Sequence, residues 1–345
     1  MKNLSLTLRK IIPEGVLTLE RRYEILRAIS YSQPVGRRLL ANQLGISERI
    51  IRSETDFLKE NSYINVTSLG MEITHDGYTI LQGLENLIYE LRGLTELEKQ
   101  ISELLNIDKV IVVPGDSDKN EMVKKDIGKA AAQIFREILK PGNTIAITGG
   151  TTVAQMIQAF QPLNNNNYED VFVLPARGSI GNKVEYQSNT LASQLANKLG
   201  ADYKLLNIPD HLSKKSLESI SKEPEIKDTL QKVSNTDILI FGIGNALKMA
   251  KRRGLSETII DFLRRKEAVA EAFGYYFNLE GEIVYSSRSV GIQLDEVKNI
   301  SYMIAVAGGS SKAEAIMAVK HLLRKGCIVM DEGAANEIVT YKTNR

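Results

Sequence analysis

The chain has 345 residues, 43% of them hydrophobic and 25% charged, with a net charge of +2. A chain this apolar and this close to neutral can repay its ordering entropy by burial, and its length suits two domains. No run approaches the ~18 consecutive apolar residues of a membrane helix. One cysteine cannot staple the chain, and three histidines leave little for a zinc or haem site, so no metal or cofactor is expected. The opening Met1–Arg9 is too short and too polar for a secretion signal, and a reducing cytoplasm is the expected compartment. Residues 1–60 carry 11 Lys/Arg against 7 Asp/Glu, a basic front end that fits nucleic acid.

The first 75 or so residues read as short helices. Leu19, Tyr23, Leu26 and Ile29 recur at helical spacing from Thr18 onward. Pro34 ends that helix and opens another through Arg37–Leu44. Gly45 stops it, and Ser47 is a natural N-cap for a third helix, Glu48 to Lys59. Tyr63–Val66 and Met71–Thr74 alternate around Ser68-Leu69-Gly70 as a small hairpin. A helix-turn-helix needs a tight turn such as Leu44-Gly45-Ile46-Ser47, followed by a helix that offers its first residues to the major groove. Leu40, Leu44, Ile46, Ile51 and Leu58 would face inward. Glu48, Arg49, Arg52 and Ser53 would face outward with Ser47, where arginines can pair with guanine edges. Arg37 and Arg38 open the preceding helix, where the dipole disfavours cations, and phosphate contact would explain them. The hairpin would be the wing. The plain alternative is a three-helix packing module with solvated arginines.

From Asp76 to about Leu105 the pattern is helical again. Leu81, Leu84, Ile88 and Leu91 make a stripe that fits either a seam between subunits or a helix lying on its own domain. This segment, 76–105, reads as a connector between residues 1–75 and 106–345.

From Lys109 short β-branched runs alternate with helical stretches. The runs are Val110–Val113, Thr144–Thr148, Val171–Leu174, Leu205–Ile208, Ile238–Phe241, Ile304–Ala307 and Cys327–Met330. Val123–Leu139, Ala192–Leu199 and Ser311–Leu323 are helical, and Asn164–Asn167 reads as a loop tip. This is an α/β fold with a doubly wound parallel sheet. Several strands end in glycines: Thr148-Gly149-Gly150, Gly242-Ile243-Gly244 and Gly308-Gly309-Ser310. Ligands of such sheets sit outside the carboxyl ends of the strands.

Gly149-Gly150-Thr151-Thr152 between strand and helix suits an anion. Glycines admit it to the backbone, the helix start points amides at it, and the hydroxyls add donors. The loop is neither a Walker A sequence nor GxGxxG, so it argues for a phosphate rather than for a nucleotide. A plain turn of small residues is the alternative. Gly308–Lys312 repeats the arrangement, with Lys312 for a second anionic group. Arg177 and the pair Arg252-Arg253 add cations near other strand ends. Gln187 and Glu271 could take sugar hydroxyls.

Longer strings carry a family resemblance. They are Pro34-Val35-Gly36-Arg37-Arg38, Leu44–Arg49, Val113–Asp118, Thr144–Thr152, Pro175–Gly178, Glu271–Phe277 and Ala307–Ala315. Over essentially its whole length the chain resembles the SorC/DeoR-type transcriptional regulators. The resemblance implies a winged helix-turn-helix repressor of a glycolytic operon, with an effector domain that binds fructose 1,6-bisphosphate. It implies dimers that pair into tetramers on operator DNA. It also implies that Gly149, Gly150, Thr151, Thr152, Arg177, Gln187, Arg252, Arg253, Glu271 and Lys312 contact the effector.

The competing reading is an enzyme with a fused DNA-binding domain, because the effector domain is similar to sugar-phosphate isomerases and glucosamine-6-phosphate deaminases. Their chemistry needs placed acid and base groups. In the deaminases an Asp-Gly-His follows the Gly-x-Gly strand end. Here Asn245-Ala246-Leu247-Lys248 stands there, and His211 and His321 lie elsewhere in the sequence. The expected chain is therefore not an enzyme.

Overall fold

The computed structural model describes residues 2–162, 168, 170–178, 183–208, 214–287, 290–323 and 325–343. Two compact units divide the chain, Met1–Glu96 and Leu97–Arg345. The division falls inside the segment 76–105.

In the first unit α1 (Lys2–Ile11) and α2 (Pro13–Ser32) precede α3 (Arg37–Leu44) and α4 (Glu48–Glu60). The hairpin of β1 (Ile64–Val66) and β2 (Met71–Ile73) follows, then α5 (His75–Leu91); α6 (Leu94–Leu105) spans the division. The boundaries have local causes. Gly45 takes the left-handed conformation at φ 64 and donates its N–H to Ala41 O, closing α3. Ser47 Oγ accepts from Ile50 N–H at 3.4 Å, the expected N-cap of α4. The core of this unit buries Ile25, Leu26 and Ile29 of α2 with Leu40, Ile51 and Leu58. Leu44 and Ile46 are only half-buried.

Leu81, Ile88 and Leu91 of α5 are buried, and α5 packs on α1 and α2. The apolar stripe is therefore covered within its own unit. Helix α1 was not legible in its polar sequence; Arg9 ties it down, donating from Nε to Leu91 O at 2.6 Å and pairing with Glu20 at 3.1 Å.

The second unit begins with β3 (Lys109–Val113), α7 (Val123–Ile138), β4 (Thr144–Ile147), α8 (Thr151–Ala159) and β5 (Phe172–Pro175). Next come α9 (Ser188–Leu199), β6 (Asp202–Tyr203), α10 (Lys214–Ile220), α11 (Pro224–Ser234) and β7 (Ile238–Gly242). A segment with β8 (Gly244–Asn245), α12 (Ala246–Arg252), α13 (Glu257–Arg265), β9 (Ala270–Ala272), β10 (Tyr275–Phe277) and β11 (Ile283–Ser286) follows. The chain closes with α14 (Leu294–Val297), β12 (Tyr302–Val306), α15 (Ala313–Val319), β13 (Gly326–Asp331) and α16 (Glu332–Thr343).

Seven strands form one sheet in the order β3-β13-β12-β7-β4-β5-β6, and every pairing is parallel. Alternate residues serve opposite faces. Ile145, Ile147, Ile240, Ile304, Val306 and Val329 pack with α7, α8 and α9, while Ala146, Leu239, Phe241, Ala305 and Ile328 are buried on the other side. Burial on both faces is why these strands read as continuous apolar runs.

From β4 the chain winds outward through β5 to β6. From β7, on the other side of β4, it winds through β12 to β13. The β4/β7 junction is thus the switch point, where ligand crevices open in such sheets. Thr148 bridges it, donating its N–H to Ile240 O at 2.9 Å and accepting from Gly242 N–H at 3.2 Å.

Three features differ from the sequence expectations. A second sheet, antiparallel in the order β11-β10-β9-β8, grows from the end of β7; its strands are too short to show a period. The strand expected at Leu205–Ile208 lies earlier, at Asp202–Tyr203. Asn189 accounts for this by accepting from Leu206 N–H at 3.0 Å and donating to Leu206 O at 3.3 Å, taking groups a ladder would need. The helix expected over Ser311–Leu323 is α15 between two 3₁₀ turns, Ser310–Lys312 and Lys320–Leu323. Asn164–Asn167 and His211 lie outside the described residues.

Candidate functional site

On the first unit, Ser47, Glu48, Arg49, Arg52 and Ser53 are all exposed on the leading half of α4. The opposite face of α4 is locked to α2: Glu54 accepts from Arg21 at 3.0 Å and Arg22 at 2.8 Å, and Arg22 lies 3.4 Å above the Phe57 ring. The two arginines of α3 have different surroundings. Arg38 is 87% exposed, with Glu48 at 4.0 Å. Arg37 donates to Thr55 Oγ1 at 3.0 Å and pairs with Asp56, so it fastens α3 to α4. Ser47 Oγ is likewise engaged as a cap. The wing turn, Thr67–Gly70, carries Leu69 at 79% exposure and contains no cation.

In the second unit a cavity of about 280 Å³ opens at the switch point. Gly149, Gly150, Thr151, Thr152, Arg177, Gln187, Arg252, Arg253, Glu271 and Lys312 all line it. They come from six separate stretches of the sequence. Gly150 sits at φ 147, a conformation that favours glycine, and its N–H is spent on Tyr186 O at 2.9 Å. The amides of Thr151–Val153 form the first turn of α8, which has no intrahelical acceptors. They and the two threonine hydroxyls are donors for an anion.

Opposite stands a buried charge cluster. Glu271 on β9 accepts from Arg253 at 2.7 Å and from Gly274 N–H at 2.6 Å, with Arg177 at 3.8 Å. One carboxylate faces two guanidiniums, so the cluster carries a net positive charge. Glu271 thereby holds two arginines in place while itself lining the cavity where the sequence expects it to meet sugar hydroxyls. Arg252 is exposed at the rim, 6.0 Å from the Tyr186 ring. Among the described lining residues six are cations, Lys124 and Lys248 in addition to those expected, and two are carboxylates, Asp118 and Glu271. Asp118 ends the string Val113–Asp118 and Lys248 ends Asn245–Lys248, but nothing in either string marks the residue as a ligand contact, and Lys124 opens an ordinary amphipathic helix with no signal of its own.

The second glycine turn is already occupied. Gly309 N–H donates to Asp331 at 2.7 Å, Ser310 N–H to Asp116 at 3.3 Å and Ser311 N–H to Asp118 at 2.8 Å. It is not the open anion loop that its resemblance to Gly149–Thr152 suggested. Asp331 also accepts from Ser117 N–H at 2.7 Å, tying the loops after β3 and β12 together. Lys312 donates to Ile243 O at 3.0 Å; burial and the charge of Lys248 push its ammonium down to about 8.

Asn245, at the place of the deaminase Asp-Gly-His, caps α12 by accepting from Lys248 N–H at 3.1 Å. His321 stacks edge-on with Phe277 and does not line the cavity. Among the described residues no helix is long and apolar enough to cross a membrane.

A winged helix-turn-helix unit and a parallel-sheet unit with a cationic cavity at its switch point define a class, the transcriptional regulators with a DNA-binding and a sugar-binding domain. Comparison with known proteins agrees. Residues 18–88 match the family model described as "CggR N-terminal DNA binding domain", and residues 89–340 match "Putative sugar-binding domain". The chain is 42% identical to the central glycolytic genes regulator of Priestia megaterium, over 98% of this chain and 99% of that one. It is also 42% identical to the protein of that name from Bacillus subtilis, with the same coverage. The crystal structure of a "putative SorC family transcriptional regulator" from Enterococcus faecalis aligns with a TM-score of 0.66 at 38% identity, over 71% of this chain and 99% of that one. The chain belongs to the SorC family of transcriptional regulators, in the group of the central glycolytic genes regulators. Regulators, not enzymes, are its close relatives.

Proposed function

We propose that this protein represses a glycolytic operon in the cytoplasm and that fructose 1,6-bisphosphate, bound in the cavity of the second unit, releases it from the operator. The observation that carries the reading is the cavity itself. Amides of Thr151–Val153 and the hydroxyls of Thr151 and Thr152 offer one anion position, and Arg177, Arg252, Arg253, Lys248 and Lys312 supply more positive charge than one phosphate needs. A sugar with two phosphates suits that surplus. The names of the 42% identical relatives support the choice of glycolytic genes. Arg38, Arg49 and Arg52 are the exposed cations for DNA, with Arg49 and Arg52 on the face that enters the groove. Two-fold operator half-sites call for a dimer, and dimers pairing into tetramers are part of this reading. No cofactor or metal is needed.

An effector acts on DNA affinity only by binding one state better than another, and such couplings are about 1–3 kcal/mol, or roughly 5–150-fold. Fluorescence anisotropy of labelled DNA from upstream of the organism's own glycolytic genes tests this. Binding should be salt-dependent and should weaken within that range when fructose 1,6-bisphosphate is added. Tighter binding with the sugar would refute the repressor–inducer reading.

A further inference from the structure

The two glycine turns at the cavity differ in what their amides hold. The first turn of α8 offers its amides to the cavity. The turn after β12 is closed by three carboxylates, Asp331 at the end of β13 and Asp116 and Asp118 from the loop between β3 and α7. Of those carboxylates, Asp331 is fully buried and structural, and Asp116 holds Ser310 N–H and Asp118 N–H from beneath. Only Asp118 lines the cavity. It accepts from Ser311 N–H at 2.8 Å and from Ser310 Oγ at 3.5 Å. Partial burial acts to raise its pKa, but the Ser311 bonds and the charges of Lys248 and Lys312 outweigh that and hold the carboxyl below its usual range. An exposed carboxylate thus sits in the arrangement of donors and cations that a phosphate would take.

We propose that Asp118 is an internal anion occupying the second phosphate position of the cavity, lying in the field of Lys248 and Lys312 and displaced from Ser311 only by a ligand that carries two phosphates. The inference rests on the phosphosugar reading above. A sugar with one phosphate binds through Gly149–Thr152 and leaves Asp118 in place. A bisphosphate brings a dianion tethered at high effective concentration, and the dianion outcompetes a single carboxylate. The neighbouring backbone stays anchored meanwhile, with Ser117 N–H on Asp331 at 2.7 Å and Gly115 N–H on Glu332 at 3.0 Å. Asp118 therefore makes the site selective. It keeps small anions and monophosphates from the lysines, and it weakens bisphosphate binding by what its own contacts contribute.

Calorimetric titration of the full-length protein with fructose 1,6-bisphosphate and with fructose 6-phosphate tests this in wild type, Asp118→Asn and Asp118→Ala. Hydrogen bonds and charge attraction at an exposed carboxylate are modest, so bisphosphate affinity should rise by about three- to tenfold in Asp118→Ala, and less in Asp118→Asn. Fructose 6-phosphate should gain by a clearly smaller factor. A fall in bisphosphate affinity would make Asp118 a ligand contact and overturn the proposal. Equal gains for both sugars would reduce it to a general field effect and also overturn it. If wild type binds neither sugar, the phosphosugar reading fails. If wild type binds and the ratio between the sugars is unchanged in both variants, only the role of Asp118 fails.

Discussion

Arg253 and Glu271 lie 2.7 Å apart with both side chains 5% exposed, and they come from the short antiparallel sheet and helices that follow β7. A buried guanidinium is tolerated when a carboxylate faces it. Here the same carboxylate also faces Arg177, from beyond the end of β5, so Glu271 fixes two cavity cations from two parts of the fold.

Removing that carboxylate should be costly. Glu271→Gln leaves two buried cations without their counter-charge, and losing one partner of such a pair typically costs about 3–5 kcal/mol. Urea unfolding should show a loss on that scale. A stability within about 0.5 kcal/mol of wild type, the range of neutral surface changes, would show that Glu271 does not organise the cluster.

Lys312 gives the site a pH dependence. Burial, reinforced by Lys248, brings its ammonium down to about 8, so it is charged below that pH and neutral above it. An anionic ligand favours the charged form, and affinity for the sugar bisphosphate should fall as pH rises through about 8. Lys312→Met should bind more weakly at neutral pH and lose most of the slope. Calorimetry across that range checks both, and affinity that increases with pH would contradict the assignment.

The arginines of the first unit should separate into three behaviours. Arg49→Ala or Arg52→Ala should cost about 1–3 kcal/mol of operator binding and relax base preference. Arg38→Ala should weaken all DNA alike and lower the salt slope by about one. Arg37→Ala removes the contacts to Thr55 and Asp56, so its first effect should be lost thermal stability. Anisotropy at several salt concentrations, with a melting curve for each variant, distinguishes these patterns. A wild-type melting temperature for Arg37→Ala would return that residue to the DNA surface.

Much of this was legible because the causes are local. Gly45 and Ser47 set the turn before α4 through contacts within a few residues, and the apolar runs of the large sheet follow from burial on both faces. The exceptions are contacts between distant residues. Gly308–Lys312 and Gly149–Thr152 look alike as strings, but Asp116 and Asp118, nearly two hundred residues earlier in the chain, fill the amides of only the later one. Helix α1 is polar and is fixed by Arg9 reaching Leu91. Strands of two to four residues, such as β8 to β11, leave no period to read.

The central claim is that a sugar bisphosphate held at Gly149–Thr152 releases the operator, and the most direct measurement is operator anisotropy titrated with fructose 1,6-bisphosphate in Thr151→Ala/Thr152→Ala. The double variant should bind operator as wild type does, because both threonines lie in the second unit. It should need far more sugar for release, or fail to release at all. Release at the wild-type sugar concentration would contradict the account.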